Sequence, residues 1–130
     1  MNVDALAERW TQMWNRELPA NKVVSPSCRT YFGRIPRTAR AVTAIGSDEL
    51  QVTVDEIGSS IEGIRYGHIS PPLVTEGSTG HAGSFTLLWE VQAPGAGIRS
   101  GIDIFRYSND LITEVWSITG DLEIPPISDE

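Results

Sequence analysis

Cysteine is all but missing from this chain. A single Cys28 among 130 residues rules out an intrachain disulfide, and His68 and His81, the only histidines, stand at no recognisable zinc-ligand spacing. Neither a metal nor a cofactor is expected. Cys28 itself reads as a small half-buried hydrophobe rather than a nucleophile. Basic charge is also thin, ten Lys and Arg against seventeen Asp and Glu, for a net charge of −7. Scattered singly, those ten make no basic patch, which argues against nucleic acid or an anionic membrane surface as a partner. No run of about 18 apolar residues is present to span a bilayer. The Met-Asn-Val-Asp start has neither the basic nor the apolar stretch of a targeting signal. A cytoplasmic location is the simplest expectation. Internal repeats and low-complexity tracts are absent as well.

What is present suffices for one domain. At 40% hydrophobic content a chain of this length buries a sizeable core, so residues 1–130 are read as a single domain ending in a proline-rich, acidic tail over about 122–130. Val3, Leu6, Ala7, Trp10, Met13, Trp14 and Leu18 recur at three- and four-residue steps. That spacing predicts a first helix from Asn2 or Asp4 to about Glu17, with Pro19 forbidding continuation. A short helical turn at 21–24 and a strand over 28–32 follow. Residues 34–46, with Pro36 and three arginines at 34, 37 and 40, read as a loop, either anion-binding or simply a solvated balance to an acidic protein. Ser47, Asp48 and Glu49 then open a second helix over about 48–61, whose apolar face is Leu50, Val54, Ile57 and Ile61.

The second half is strand-like. Residues 64–70 and 73–75 are separated by Pro71-Pro72, which marks an edge or a bend. His81 falls in a glycine-rich turn and is expected to face solvent. Residues 84–93 alternate, with Phe85, Leu87, Trp89 and Val91 set against Thr86, Leu88, Glu90 and Gln92, before a Pro94-Gly95-Ala96-Gly97 turn. A one-residue slip decides whether Trp89 or Glu90 shares a face with Asp103. Residues 101–107 and 111–118 form the clearest hairpin. A tight Asn109-Asp110 loop places Tyr107 opposite Ile112, Phe105 opposite Glu114 and Asp103 opposite Trp116 on one face, with Ile102, Ile104 and Val115 on the other. This pattern predicts a sheet covered on both faces and a polar-bottomed pocket.

A carboxylate among Trp116, Phe105 and helix tryptophans loses hydration, which raises its pKa toward the range where it can exchange a proton near neutrality. Asp103 is therefore the candidate acid–base. Alternatively, it anchors the fold by accepting hydrogen bonds from Tyr31, Tyr66, His68 or a tryptophan. His68 shares strand parity with Tyr66 and projects either into the same pocket or into a satisfied polar pair at the sheet edge. Glu114 fits an ion pair with Arg106 or another arginine better than it fits catalysis.

The order helix, short segment, helix and four-stranded meander resembles the nuclear transport factor 2-like superfamily, and within it the SnoaL-like group. The matching residues are Trp14 and Asn15, then Gly101, Asp103, Phe105 and Arg106, then Ile112, Glu114 and Trp116. Ser108-Asn109-Asp110 departs from the Asp-Gly-Lys turn of many relatives, and the double proline interrupts a strand they usually keep whole. The resemblance implies an α+β fold, a strongly curved and mostly antiparallel sheet wrapped like a cone around two to three N-terminal helices. It also implies an internal pocket and a homodimer formed through the outer sheet face. In catalytic relatives, among them polyketide cyclases, ketosteroid isomerases and limonene epoxide hydrolases, a carboxylate deep in the cone moves protons, and Asp103 falls at such a position. The first-helix tyrosine of the isomerases has no counterpart here.

The function so implied is a cofactor-free isomerase, cyclase or hydrolase acting on a small apolar molecule. Asp103 is its general acid–base, His68 and Tyr31 are polar partners, and Trp10, Trp14, Tyr66, Trp89, Phe105 and Trp116 form the ligand-binding wall. The alternative is a non-catalytic ligand-binding or dimerisation module whose interior is filled by Trp10, Trp14 and Trp89. A space of roughly 300 Å³ or more around Asp103 separates the two.

Overall fold

The first helix, α1 (Val3–Trp14), starts where the Asn2 side chain accepts a hydrogen bond from the Asp4 amide at 2.8 Å. It stops before Pro19 can act on it. Asn15 Nδ2 donates to the Tyr66 carbonyl at 2.9 Å, while Asn15 Oδ1 accepts from the Tyr66 amide at 2.8 Å. A side-chain amide thus pairs with a strand backbone as another strand would, and Arg16 turns the chain away at a φ of 59°. In this computed structural model, which describes residues 2–33 and 43–127, α1 leads through a 3₁₀ turn (Ala20–Lys22) into β1 (Val24–Phe32) and β2 (Thr43–Ile45). The loop expected over 34–46 therefore ends early, because residues 43–45 pair with Arg29, Thr30 and Tyr31 of β1. Arg34, Arg37 and Arg40 lie outside the described residues.

The second helix, α2 (Gly46–Ser60), is followed by β3 (Arg65–His68), β4 (Leu73–Val74), β5 (Ala82–Ala93), β6 (Gly97–Ser108) and β7 (Leu111–Thr119). The strands form one open mixed sheet in the order β2-β1-β7-β6-β5-β3, with β4 also pairing to β5. Only β1 and β7 run parallel. Pro71-Pro72 sits between β3 and β4, where the chain breaks and then rejoins the same partner strand. Both helices lie on one face of the sheet. Leu6, Trp10, Met13 and Trp14 of α1 and Leu50 and Val54 of α2 form a single buried core with sheet residues such as Phe85, Leu87, Phe105 and Val115. Cys28 belongs to this core, and burial pushes its thiol up to about 11, which leaves it unreactive. Residues 122–127 form no regular element, yet they are pinned: Ser100 N donates to the Leu122 carbonyl at 3.0 Å and Ile124 N to Ser100 Oγ at 2.8 Å.

The last hairpin corrects the expected register. Asn109 and Asp110 make the tight turn, both at positive φ, and Tyr107 pairs with Ile112 as expected. Beyond that pair a bulge at Thr113 adds one residue to β7, so Arg106 meets Glu114, Phe105 meets Val115, Ile104 meets Trp116 and Asp103 meets Ser117. Because side chains alternate with a period of two, the extra residue moves Glu114 and Trp116 to the outer face and brings Val115 inside. Val115 is fully buried there and Trp116 is 36% exposed.

Candidate active site

Three long strands place the site. Asp103 on β6 is flanked in register by Leu87 on β5 and Ser117 on β7, and the next row is Trp89, Gly101 and Thr119. The β5–β6 pairing settles the slip left open above: Trp89, not Glu90, shares a face with Asp103. Gly101 makes this arrangement possible. A Cβ there would stand 2.1 Å from Trp89 Cζ2, so only glycine leaves room for the indole to lie across β6 toward Asp103.

From the helix side, Trp10 Nε1 donates to Asp103 Oδ2 at 3.0 Å. Asp103 is 2% exposed, and burial pushes its carboxyl up to about 6. Ser117, Trp89 and Trp10, which favour the charged form, keep it from rising further. Of these three only Trp10 makes a well-formed hydrogen bond. Asp103 Oδ1 and Trp89 Nε1 are buried and have no partner. Above them opens a cavity of about 670 Å³, walled by Trp10, Trp14, Tyr66 and Trp89 together with Ile57 and Ile61 from the end of α2. Arg99 lines it too, with the same strand parity as Gly101 and Asp103. Burial, and then the charge on Asp103, push the Tyr66 hydroxyl upward, so it stays protonated. An ionisable acid at the base of an apolar hollow of this size has the means to take a proton from a bound molecule and give it back.

Asp103, Trp10, Trp14, Tyr66 and Trp89 are thus brought together as the sequence suggested, and four other candidates are not. Trp116 stacks on Tyr31 on the outer face at 5.8 Å between ring centroids, with the Arg106 guanidinium 5.7 Å from its ring. Tyr31 donates to Glu114 Oε2 at 3.4 Å, and Glu114 pairs with Arg106 at 4.0 Å, so this cluster is surface structure remote from the acid. The Thr113 bulge is the reason for Trp116. Tyr31 follows because it pairs with Trp116 across the parallel β1–β7 ladder. His68 stays on the inner parity, but its Nε2 donates to the Ala7 carbonyl at 3.1 Å, which fastens α1 to β3. It borders a separate groove with Glu90 and Glu123. Phe105 lies below the cavity in the core, 5.1 Å from Trp10 and stacked on Phe85 at 4.4 Å.

Ser117 and Gly101 were missed as site residues. Only the bulge reveals Ser117, whereas Gly101, a glycine in mid-strand beside a tryptophan strand, was a readable sign of close approach. Among the described residues no His, Cys, Asp and Glu cluster is arranged to hold a metal ion, and no helix is long and apolar enough to cross a membrane.

No family model and no curated protein sequence matches the chain. Solved structures do. A protein of the SnoaL-like family from Agrobacterium tumefaciens aligns with a TM-score of 0.68 at 14% identity, covering 89% of this chain and 95% of that one. A nuclear transport factor 2-like protein with a cystatin-like fold from Novosphingobium aromaticivorans gives 0.70 at 11% identity over 89% and 78%. A protein with a ketosteroid isomerase-like fold from Catenulispora acidiphila, crystallised with trimethylamine, gives 0.62 at 13% identity over 86% and 82%. The chain therefore has the α+β cone fold seen in nuclear transport factor 2-like and SnoaL-like proteins. Identity this low carries the fold and not the activity.

Proposed function

We propose that the protein binds a small apolar metabolite and, without a cofactor, uses Asp103 as the general acid–base of an isomerase-, cyclase- or hydrolase-type reaction. The observation that carries this reading is a buried carboxyl with its pKa raised to about 6 at the base of a cavity of about 670 Å³. Near neutral pH the group is mostly ionised and ready to accept a proton, and its modest basicity lets it return that proton within the same turnover. The Trp10 hydrogen bond fixes the carboxyl plane, so the acceptor oxygen is held in place before the ligand arrives. The fold's occurrence in a protein named for ketosteroid isomerase-like architecture is compatible with such chemistry.

A screen of apolar metabolites for thermal stabilisation tests binding first, since a ligand at a hundred times its Kd adds about 2.7 kcal/mol. On a substrate so found, Asp103→Asn is expected to lower kcat by about 10²–10⁴-fold while the protein stays folded. Unchanged turnover would remove Asp103 from the chemistry. A second reading, a non-catalytic ligand-binding module that dimerises, is favoured by the outer face, where Ile102, Ile104, Trp116 and Ile118 are 36–62% exposed on adjacent strands.

A further inference from the structure

Two buried polar atoms lining the cavity lack a well-formed hydrogen bond. Neither Asp103 Oδ1 nor Trp89 Nε1 makes a well-formed hydrogen bond, although Trp89 and Ser117 stand close enough to Asp103 to favour its charged form. Both residues are more than nine-tenths buried and line the same space. Leaving such groups unpaired costs about 1–3 kcal/mol each, so they point to a partner that supplies a donor to one and an acceptor to the other.

We propose that the cavity takes a neutral, ring-shaped apolar molecule bearing a hydroxyl group, whose O–H donates to Asp103 Oδ1 while its oxygen accepts from Trp89 Nε1. This rests on the ligand-binding reading above and narrows the class of ligand. Other common groups fail at one of the two atoms. A carbonyl satisfies the indole but turns lone pairs toward the carboxylate. An ammonium satisfies the carboxylate but confronts the indole N–H, and a second carboxylate is repelled by Asp103. Of the oxygen groups, a hydroxyl is the one that donates and accepts at a single atom. The aromatic walls supplied by Trp10, Trp14 and Tyr66 suit the flat faces and edges of a ring. Trp89 lies over Gly101, and its Nε1 has no well-formed hydrogen bond to break when the oxygen enters. Trp89 is therefore a ligand-orienting donor as well as a wall.

Calorimetric titration with 2-naphthol and with its methyl ether, 2-methoxynaphthalene, tests this at pH 7, where the naphthol is neutral. The ether keeps the ring and loses the donor. The naphthol is expected to bind about tenfold or more tightly than the ether. Trp89→Phe, which keeps an aromatic wall and deletes the N–H that the ligand oxygen accepts from, is expected to weaken naphthol binding about fivefold or more, with folding checked by circular dichroism and thermal melting. Equal binding of both compounds by the unaltered protein would overturn hydroxyl recognition while leaving an apolar ligand pocket in place. If neither compound binds, the pocket reading falls as well. Naphthol affinity that is undiminished in a folded Trp89→Phe protein would overturn the role of the indole.

Discussion

Gly101→Ala perturbs the site while removing no polar atom. The backbone at Gly101 is not in the left-handed region, so alanine suits the strand and on its own is expected to stabilise it by up to about 1 kcal/mol. The obstacle is Trp89, since the added Cβ would stand 2.1 Å from Cζ2, 2.4 Å from Cε2 and 2.6 Å from Cη2. Rigid ring atoms cannot yield as a flexible chain end does, so the whole indole must leave its seat. Overpacking of this kind costs about 1–3 kcal/mol. In a Trp89→Leu background the clash is gone, and the same substitution is expected to be neutral or slightly stabilising. A double-mutant cycle by urea denaturation should therefore give a coupling energy of about 1–3 kcal/mol, the cost of the clash alone. Equal destabilisation by Gly101→Ala in both backgrounds would refute the placement of the indole across the glycine.

The buried acid makes stability depend on pH. Between about pH 4 and 6 the folded carboxyl keeps a proton that the unfolded chain has released, so stability falls as pH rises, and a shift from 3.8 to about 6 amounts to about 3 kcal/mol. The stability of the unaltered protein relative to Asp103→Asn should drop by about that much from pH 4 to pH 7 in urea titrations, whereas a difference that stays flat would contradict the burial of the charge. On the opposite face, sedimentation at micromolar concentration is expected to find a dimer that Ile104→Glu converts to monomer, since Ile104 lies beside Trp116 in an exposed apolar strip. An unaltered protein that stays monomeric would remove that interface.

What could be read in advance divides along physical lines. Helical periodicity placed Leu6, Trp10, Met13 and Trp14 on the buried side of α1, and simple alternation placed Phe85, Leu87 and Trp89 on one face of β5. Those signals are local, and they pointed Trp10 and Trp14 inward and put Trp89 on the Phe85 face of β5 without saying which face of that strand meets Asp103. The register of β7 was not local. Ile112 and Val115 are both buried although three positions apart, a spacing that fits a strand only with a bulge, and Glu114 opposite Arg106 hinted that the charged pair belonged in solvent. Reading strict alternation through that stretch moved Trp116 to the wrong side, and Tyr31 with it. The end of α1 was misjudged for a similar reason. Asn15 stops the helix through hydrogen bonds to Tyr66, fifty-one residues away, before Pro19 has any effect. Neither Trp89's place on the inner face nor the proton affinity of Asp103 could be settled until the β5–β6 register was known, because each depends on what Gly101 leaves empty.

The most direct measurement is a carbon-13 NMR titration of the Asp103 carboxyl in the folded protein. A midpoint near 6, well above the ordinary aspartate value, is the expected result for an acid held beneath an apolar cavity with one indole hydrogen bond. A midpoint near 4 would mean that water reaches the group freely, and neither the proposed proton transfer nor the hydroxyl clamp would stand.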